Sequence, residues 1–421
     1  MSNLLFCQFD TRFLYRDYPD DISVEFYEMI WNTHREDGYY KNESYWEIPL
    51  WIAEACTATR RHEHDLYIIK DLNVAEEEIR NRISDYVLFS AMDINREYIK
   101  ELAKRIPEKK FIVGGYGSLS ELEKIPNIQT IESMQGLAEF FSQTYTYGLD
   151  FSLFIGQETI PRLRMSKGCW NRCKFCTVGN RVEEVSEYEI FLQAESFKKL
   201  SFKLVYIDDK TFGQASNYNI LHRVYEQIKS YNPDFLGFIV QTTTALASDR
   251  DFVEEMVRMH VLVCEIGVET YNNQILADLW KPQNTSNIDC AVENLYEAGI
   301  RIIPNFIIGI PDETFQTYRN TINFIENNKH KFYSLNIYNL ALYKETELGK
   351  EIEGKQDTDF SELDINKSFH TPTQREATKW FYEKVYKLGI EILSNYTKEV
   401  MQDGRIQGYS EVLRESHQDN V

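Results

Sequence analysis

Met165-Ser-Lys-Gly-Cys-Trp-Asn-Arg-Cys-Lys-Phe-Cys176 places three thiols, Cys169, Cys173 and Cys176, within eight residues. A short run at 162–166 precedes them and predicts a strand, so one loop after a strand carries all three thiols. Three thiolates can bind three irons of a [4Fe–4S] cluster and leave the fourth iron without a protein ligand. The spacing therefore predicts an iron–sulfur site in which these cysteines are metal ligands and catalytic residues.

Two alternative interpretations of the cysteines exist. A structural zinc site normally needs four protein ligands, but no fourth cysteine lies nearby and no histidine occurs between His64 and His222. Buried thiols that only pack in a core are the second alternative. Lys167, Arg172 and Lys174 surround the three cysteines, and such charged neighbours favour a ligand loop over core packing.

Composition limits the class of protein. The chain has 421 residues, 43% hydrophobic and 27% charged, which predicts a folded protein of two or three domains. Its net charge of −20 repels phosphate backbones, so a nucleic-acid partner is not expected. Seven cysteines, three of them clustered, together with the absence of a leader-like start and of a long apolar run, predict a cytoplasmic protein without a membrane partner.

The pattern of strands and helices predicts an α/β protein with several domains. Four strand-like runs alternate with helical segments over residues 1–118, which predicts an N-terminal Rossmann-like domain. Residues 119–160 are interpreted as a connecting region. Six strand–helix units over 161–350 predict a partial (β/α)6 barrel, and 351–421 are predicted to form a helical C-terminal region with one long helix from Thr373 to Met401.

The cysteine motif, with the aromatic Phe175 before its last cysteine and the βα units that follow, resembles the radical S-adenosylmethionine (SAM) superfamily over roughly residues 160–350. The resemblance implies a [4Fe–4S] cluster whose open iron binds SAM. Reductive cleavage of SAM then gives a 5′-deoxyadenosyl radical that abstracts hydrogen from a substrate carbon. An external electron donor is implied as a partner, and Phe175 becomes a cofactor-binding candidate.

Further candidates follow from the same resemblance. Tyr206-Ile-Asp-Asp209 is similar to a strand end that meets the methionine part of SAM, so Asp208 and Asp209 are binding candidates; the alternative is a carboxylate that caps the next helix. The run ending in Glu269 resembles a strand whose glutamate faces the ribose hydroxyls, the alternative being a paired surface charge. Cys264 on the same strand is interpreted as a core residue.

Two more strand ends complete the expected SAM site. Asn305 to Thr314 matches a pattern in which backbone near Gly309 passes close to the adenine. Gln241, which begins a polar run to Thr244 at the end of another strand, is expected to contact SAM or substrate. All of these candidates fall at carboxyl ends of predicted parallel strands, where such folds carry their sites.

The N-terminal domain is similar in layout to the cobalamin-binding domain that precedes many radical SAM barrels, including the Gly114-Gly115 turn. The cobalt-ligand motif D-x-H-x-x-G of that domain is absent, because the run from Asn32 to Gly38 has the wrong first residue and one residue too many around His34. His62 and His64 lie in a charged run and are assigned no metal. We therefore expect a degenerate domain that serves as a substrate scaffold, and an enzyme that acts without cobalamin.

Three functions are compatible with the sequence. The first is radical modification of a ribosomally made peptide in natural-product biosynthesis, and the second is a cobalamin-dependent methyltransferase of a peptide or small molecule. The third is a cluster-bearing interaction protein without catalysis. Methylthiolation of tRNA is disfavoured, since it calls for a second cysteine cluster and a basic RNA-binding extension.

Overall fold

The computed structural model describes residues 1–10, 21–36, 48–92, 95–115, 119–179, 181–343, 345–353 and 369–403. The chain divides into two compact units, each described by itself below. The first contains Met1–Pro19, Lys41–Pro161 and Phe191–Phe202, and the second contains Asp20–Tyr40, Arg162–Ile190 and Lys203–Val421.

Thirteen strands occur in the described residues: β1 Asn3–Phe9, β2 Glu63–Ile69, β3 Tyr86–Ala91, β4 Lys110–Gly115, β5 Ile128–Thr130, β6 Arg162–Leu163, β7 Ser166–Lys167, β8 Glu183–Glu184, β9 Leu204–Ile207, β10 Gly237–Thr243, β11 Val261–Glu269, β12 Arg301–Ile308 and β13 Asn336–Asn339. The α-helices of the described residues are α1 Ile22–Glu36, α2 Leu50–Ala58, α3 Leu72–Asn81, α4 Arg96–Arg105, α5 Met134–Phe140, α6 Glu187–Ser196, α7 Leu221–Tyr231, α8 Thr244–Ala247, α9 Arg250–Arg258, α10 Asn273–Asp278, α11 Thr285–Glu297, α12 Phe315–Asn328, α13 Glu347–Glu353 and α14 Pro372–Asp403.

The first unit is built on a five-stranded parallel sheet in the order β2-β1-β3-β4-β5. Leu5 and Val87 on one face of this sheet and Phe6 and Leu88 on the other are all buried, as expected for strands covered on both faces. The predicted Rossmann-like fold is confirmed. Residues 119–160, expected to connect two domains, contribute β5 and α5, because Ile128 pairs with Phe111 and extends the sheet.

The second unit contains a six-stranded parallel sheet in the order β13-β12-β11-β10-β9-β6. This is the predicted partial barrel. The first predicted strand, 162–166, divides in two: β6 joins the parallel sheet, whereas β7 pairs antiparallel with β8. Strand β7 ends directly before Gly168, whose φ of +79° turns the chain into the cysteine loop.

Helix α12 begins with side-chain caps, and α14 contacts it through aromatic rings. Thr314 and Thr317 form a capping box at the start of α12. The predicted C-terminal helix is present as α14, where Phe381 stacks on Tyr318 of α12 at 4.3 Å between ring centroids. Within the described part of the chain, the helices are too short or too polar to cross a bilayer.

Candidate active site

The cysteine loop is attached to the barrel by the carboxylate of Asp209, which lies just beyond the carboxyl end of β9. This side chain is buried and accepts hydrogen bonds from the backbone N–H groups of Met165 and Ser166, both at 2.8 Å, and from the Ser166 hydroxyl at 2.7 Å. Burial raises the pKa of Asp209, against the opposing effect of these hydrogen bonds. Asp209 thus positions the residues that lead into the cysteine loop. Its expected contact with SAM remains a prediction.

Gly168 and Gly179 shape the loop from its two sides. A Cβ atom on Gly168 would lie 1.8 Å from the carbonyl oxygen of Arg181, so only glycine fits there. The carbonyl oxygen of Gly179 accepts a hydrogen bond of 3.0 Å from the N–H of Cys169. The two arms of the loop are therefore joined by backbone, and β7 pairs with β8 beside them.

The three thiols lie at increasing exposure along the loop. Cys169 is buried, with its Sγ 3.3 Å from the hydroxyl of Thr211, while Cys173 is half-buried and Cys176 is exposed. The N–H of Val178 donates to the Sγ of Cys176 at 3.4 Å. Polar contacts of this kind support thiolate sulfur atoms in an iron–sulfur site.

Lys174 and Phe175 anchor the loop between the last two cysteines. The backbone of Lys174 donates to the carbonyl of Leu279 at 3.0 Å and accepts from the N–H of Leu348 at 2.9 Å. Phe175 packs against an apolar cluster that includes Ile307 at the end of β12. The structure thus gives Phe175 a packing role, and its expected contact with a cofactor remains a prediction.

A buried ion pair lies beside the cysteines. Glu269, at the carboxyl end of β11, has a φ of +64° and sits where the register between β11 and β12 shifts. Its Oε1 accepts from the Nζ of Lys281 at 2.7 Å, and the two side chains are 9% and 8% exposed. A Cβ atom on Gly267 would lie 2.7 Å from Glu269 Oε1 and 2.9 Å from Lys281 Nζ, so the missing side chain makes room for the pair.

Electrostatic interactions link this pair to the thiols. Burial raises the pKa of Cys173 to about 11; the charge of Lys281 opposes this rise, whereas the charges of Glu269, Cys176 and Cys169 add to it. Burial likewise raises the pKa of Cys176. The thiols repel one another as thiolates, which agrees with three side chains that lie close together.

Asp208 and Gln241 are held by protein partners. Asp208 accepts from Arg162 at 2.6 Å and from Arg164 at 3.2 Å. Burial would raise the pKa of Asp208, but the charges of Arg162, Lys210 and Arg164 outweigh it and hold this pKa below its usual value. The amide of Gln241 donates to the carbonyl of Asp209 at 2.9 Å, which ties the ends of β9 and β10 together.

Gly309 follows β12 with a φ of +86°. Its N–H donates to the hydroxyl of Tyr318 at 3.2 Å, and its carbonyl oxygen lies 3.1 Å from Nε2 of His370. Glu313, close by in the sequence, is buried, and burial raises its pKa to about 7. These contacts fix the backbone at the end of β12, the segment for which the sequence predicts an adenine contact.

Sequence reasoning missed several residues of this site. Lys281 lies twelve positions after Glu269 and carries no pattern that separates it from the other lysines. Gln214, whose amide donates to the carbonyl of Gly168 at 2.9 Å, is also unmarked in the sequence. Thr211 could have been found, because it directly follows the acidic strand end from Asp208 to Lys210.

The other cysteines and histidines singled out in the sequence have surroundings of their own. Burial raises the pKa of Cys7, Cys56 and Cys264 far above that of a free thiol, in agreement with a core role for Cys264. His62 accepts from the N–H of Ser2 at 3.1 Å, and His64 contacts Thr59. The side chain of His34 lies outside the described residues.

The segment that carries the cysteine loop also matches a known protein family. Residues 163–325 match the radical SAM superfamily. The chain contains a radical SAM domain. The matched residues begin in β6, contain the whole cysteine loop and end within α12, so the resemblance stated on the motif alone is confirmed.

Relatives of this chain are distant, and it spans less than two thirds of the length of the first two described here. An uncharacterized methyltransferase of Synechocystis is 23% identical over 158 residues, which is 36% of this chain and 30% of that protein. The ribosomal protein uS12 methylthiotransferase RimO of Thermodesulfovibrio yellowstonii is 23% identical over 243 residues, 55% of this chain and 54% of that protein. The threonylcarbamoyladenosine tRNA methylthiotransferase MtaB of Bacillus subtilis is 20% identical over 323 residues, 74% of this chain and 69% of that protein.

Among solved structures, the radical SAM methyltransferase TsrM of Kitasatospora setae, with cobalamin and a [4Fe–4S] cluster bound, shares this fold. Its TM-score is 0.57 at 12% identity, and the alignment covers 90% of this chain and 85% of that protein. The family implies a [4Fe–4S] cluster and SAM here. The expectation that the enzyme acts without cobalamin receives no support, since a protein of the same fold holds that cofactor.

Proposed function

We propose that this radical SAM enzyme modifies a carbon atom of a polypeptide by hydrogen abstraction. The observation that carries the radical chemistry is the loop of Cys169, Cys173 and Cys176, which Asp209 attaches to the carboxyl end of the sheet. Three soft thiolate donors with no fourth protein thiol in the loop suit a [4Fe–4S] cluster with one open iron. With SAM bound, such a cluster supplies reductive cleavage of a carbon–sulfur bond.

The chain's own residues orient and shield that chemistry. Gly168 and Asp209 set the path of the loop, and Thr211 contacts the first thiol. The nearly buried Lys281 places a positive charge near Cys173 and Cys176, where it opposes the negative charge of thiolate ligands. Glu269 offers its second carboxylate oxygen, and we propose that it accepts from the ribose hydroxyls of SAM.

The nature of the substrate is argued from charge and from the relatives. Two of these relatives are named for modifying a ribosomal protein and a tRNA. A net charge of −20 repels the phosphates of RNA but does not oppose a polypeptide. Methylthio transfer with a second cluster is disfavoured, because burial keeps Cys7, Cys56 and Cys264 as neutral thiols.

Anaerobic reconstitution tests the radical chemistry. We expect about four irons per chain, a broad absorption at about 400 nm, and the formation of 5′-deoxyadenosine when a strong reductant and SAM are added. Replacing Cys169, Cys173 and Cys176 together with alanine should remove all three signals, whereas Cys290→Ala, a change of an exposed cysteine on α11, should leave them intact. Release of 5′-deoxyadenosine by the triple variant would refute the assignment.

The substrate class is tested with an extract of deuterium-labelled cells separated into polypeptides, RNA and small molecules. Abstraction from a polypeptide should place deuterium in 5′-deoxyadenosine only with the polypeptide fraction, and protease treatment of that fraction should remove the label. Deuterium transfer from the nuclease-sensitive fraction or from the small molecules would contradict the proposed substrate while leaving the radical chemistry in place.

A second candidate function is cobalamin-dependent methyl transfer, favoured by a cavity in the first unit. This cavity of about 300 Å³ lies at the carboxyl ends of β3 and β4, with Ser90, Gly114, Gly115 and Leu137 in its wall. Its size and partly apolar lining suit one aromatic heterocycle, such as the nucleotide tail of a corrinoid. Cobalamin, when bound, would supply a methyl-carrying cobalt.

The cobalamin candidate has its own test. After incubation with hydroxocobalamin and desalting, a stoichiometric corrinoid spectrum in the wild type supports it. Ser90→Leu, which fills the cavity, should then lose the corrinoid, while Ser90→Ala, which leaves the space, should keep it. A wild type that retains no corrinoid would exclude this candidate and leave the first proposal untouched.

A further inference from the structure

A second group of metal-ligand side chains lies away from the cysteine loop. The ligand atoms of His222, Glu226 and His260 all lie within 4.8 Å of one another. His260 directly precedes β11, and its carbonyl oxygen accepts from the N–H of Phe238 near the start of β10. The group therefore lies by the amino-terminal ends of these strands, whereas the cysteine loop follows the carboxyl end of β6.

The helix α7 supplies two of the three ligands with suitable spacing. His222 and Glu226 are four residues apart, so both side chains lie on the same face of the helix, one turn from each other. Both are exposed, so their side chains can rotate to bring the ligand atoms closer together than 4.8 Å, as a shared ion requires. Two donors bound at about 2.1 Å lie at most about 4.2 Å apart.

The third ligand, His260, is held in place by its surroundings. Its backbone has a φ of +62°, and its N–H donates to the carbonyl of Val257 at 2.9 Å. Its ring stacks on Tyr225 at 3.6 Å between centroids and lies nearly parallel to the ring of His222 at 5.5 Å. A ligand fixed in this way loses little freedom when an ion binds.

We propose that His222, Glu226 and His260 bind one divalent first-row transition-metal ion such as Zn²⁺. Two imidazoles and one carboxylate suit such ions, whereas Mg²⁺ and Ca²⁺ prefer a site made of oxygen atoms. The ion joins α7 to the turn between α9 and β11. Because three protein ligands leave coordination positions open, the ion also accepts water or a further ligand.

The test measures zinc bound by the cluster-loaded enzyme after dialysis against a zinc buffer, with metal content read by mass spectrometry. We expect one zinc per chain, and a loss of affinity on the order of ten- to a hundredfold or more for Glu226→Gln and for His260→Gln. His330→Gln, a change of an exposed histidine outside the group, serves as the matched control and should bind zinc like the wild type.

A second measurement separates binding from folding and from the cluster. In the background where the three loop cysteines are alanine, zinc at a hundredfold excess over its dissociation constant should raise the folded-to-unfolded ratio about a hundredfold, and His222→Gln should abolish the rise. Equal zinc affinity in the wild type and in the His222, Glu226 and His260 variants would overturn the proposal, as would a wild type that retains no zinc.

Discussion

Lys281→Met tests the buried ion pair directly. At 2.7 Å from Glu269, with both side chains less than a tenth exposed, the attraction between the two charges is about 6 kcal/mol at an effective dielectric constant of about 20. Removing the ammonium leaves a carboxylate buried beside the cysteine loop without its partner. Loss of one partner of such a pair lowers the free energy of unfolding by about 3–5 kcal/mol.

The assay is urea denaturation of the apoprotein followed by circular dichroism under reducing conditions. Lys331→Met is the matched control, because Lys331 pairs with Glu293 at 2.5 Å but the carboxylate of Glu293 is 52% exposed. This variant should lose only about 0.2–1 kcal/mol of the free energy of unfolding. The double variant Glu269→Gln/Lys281→Met should lose less than the two single variants together, since no buried charge remains. Strictly additive losses, or a Lys281→Met loss no greater than the control's, would refute this account of the pair.

Three further predictions concern other residues of the second unit. Gly168→Ala should prevent iron binding on reconstitution, because the new Cβ atom would lie 1.8 Å from a carbonyl oxygen. Gly179→Ala is the control and should bind iron normally, since its Cβ atom would have no neighbour within 4 Å. Equal iron contents in the two variants would contradict this prediction. Glu313→Gln should be more stable than the wild type at pH 8 by roughly 3 kcal/mol and should lose that advantage near pH 4. The reason is that burial raises the pKa of Glu313 to about 7, so the wild type loses stability as the pH rises from about 4.5 through 7. Parallel curves of stability against pH for the two proteins would show that the pKa of this carboxyl is not perturbed. Asp208→Asn should lower the free energy of unfolding at pH 7 by roughly 1.5–3 kcal/mol, and this difference from the wild type should vanish as the pH falls below about 4. Burial would raise the pKa of Asp208, but the charges of Arg162 and its neighbours outweigh burial and hold the folded-state pKa below the ordinary value. A difference that persists in acid would rule out the ion pair as the cause.

Binding of SAM gives an independent measure of Glu269. In cluster-loaded protein, Glu269→Gln should weaken SAM binding by about 1.5–3 kcal/mol, because it weakens the proposed hydrogen bonds to the ribose while sparing the thiolates. Calorimetry with SAM measures this change, and the iron content confirms that the cluster is present. Unchanged affinity would mean that the carboxylate serves only Lys281.

Periodicity and strand-end chemistry were enough to predict most of the architecture. Strand β12 has the bounds 301–308 that the apolar run predicts, and the long C-terminal helix begins within one residue of the expected Thr373. Residues 119–160 were harder to interpret, because β5 is only three residues long and owes its place to pairing with β4. A strand that short has too few residues to show a period of two.

The sequence predicts which residues belong to the candidate site better than it predicts which partners they contact. The sequence placed Asp209 and Glu269 at strand ends, as the structure does, but it could not show that Asp209 binds the backbone at 165 and 166 or that Glu269 pairs with Lys281. These partners are 43 or 44 residues away in the first case and on a following loop in the second. Tertiary pairing at such separations leaves no local pattern.

The attachment of the cysteine loop by Asp209 has a consequence for damage and repair. Oxygen destroys exposed iron–sulfur clusters and releases their metal, yet the hydrogen bonds at 165 and 166 involve no iron and no thiol. The entrance of the loop is expected to stay in place after the cluster is lost, with the thiols of Cys173 and Cys176 still accessible. Enzyme inactivated in this way should regain its cluster from iron, sulfide and a reductant alone, without unfolding and without help from a chaperone.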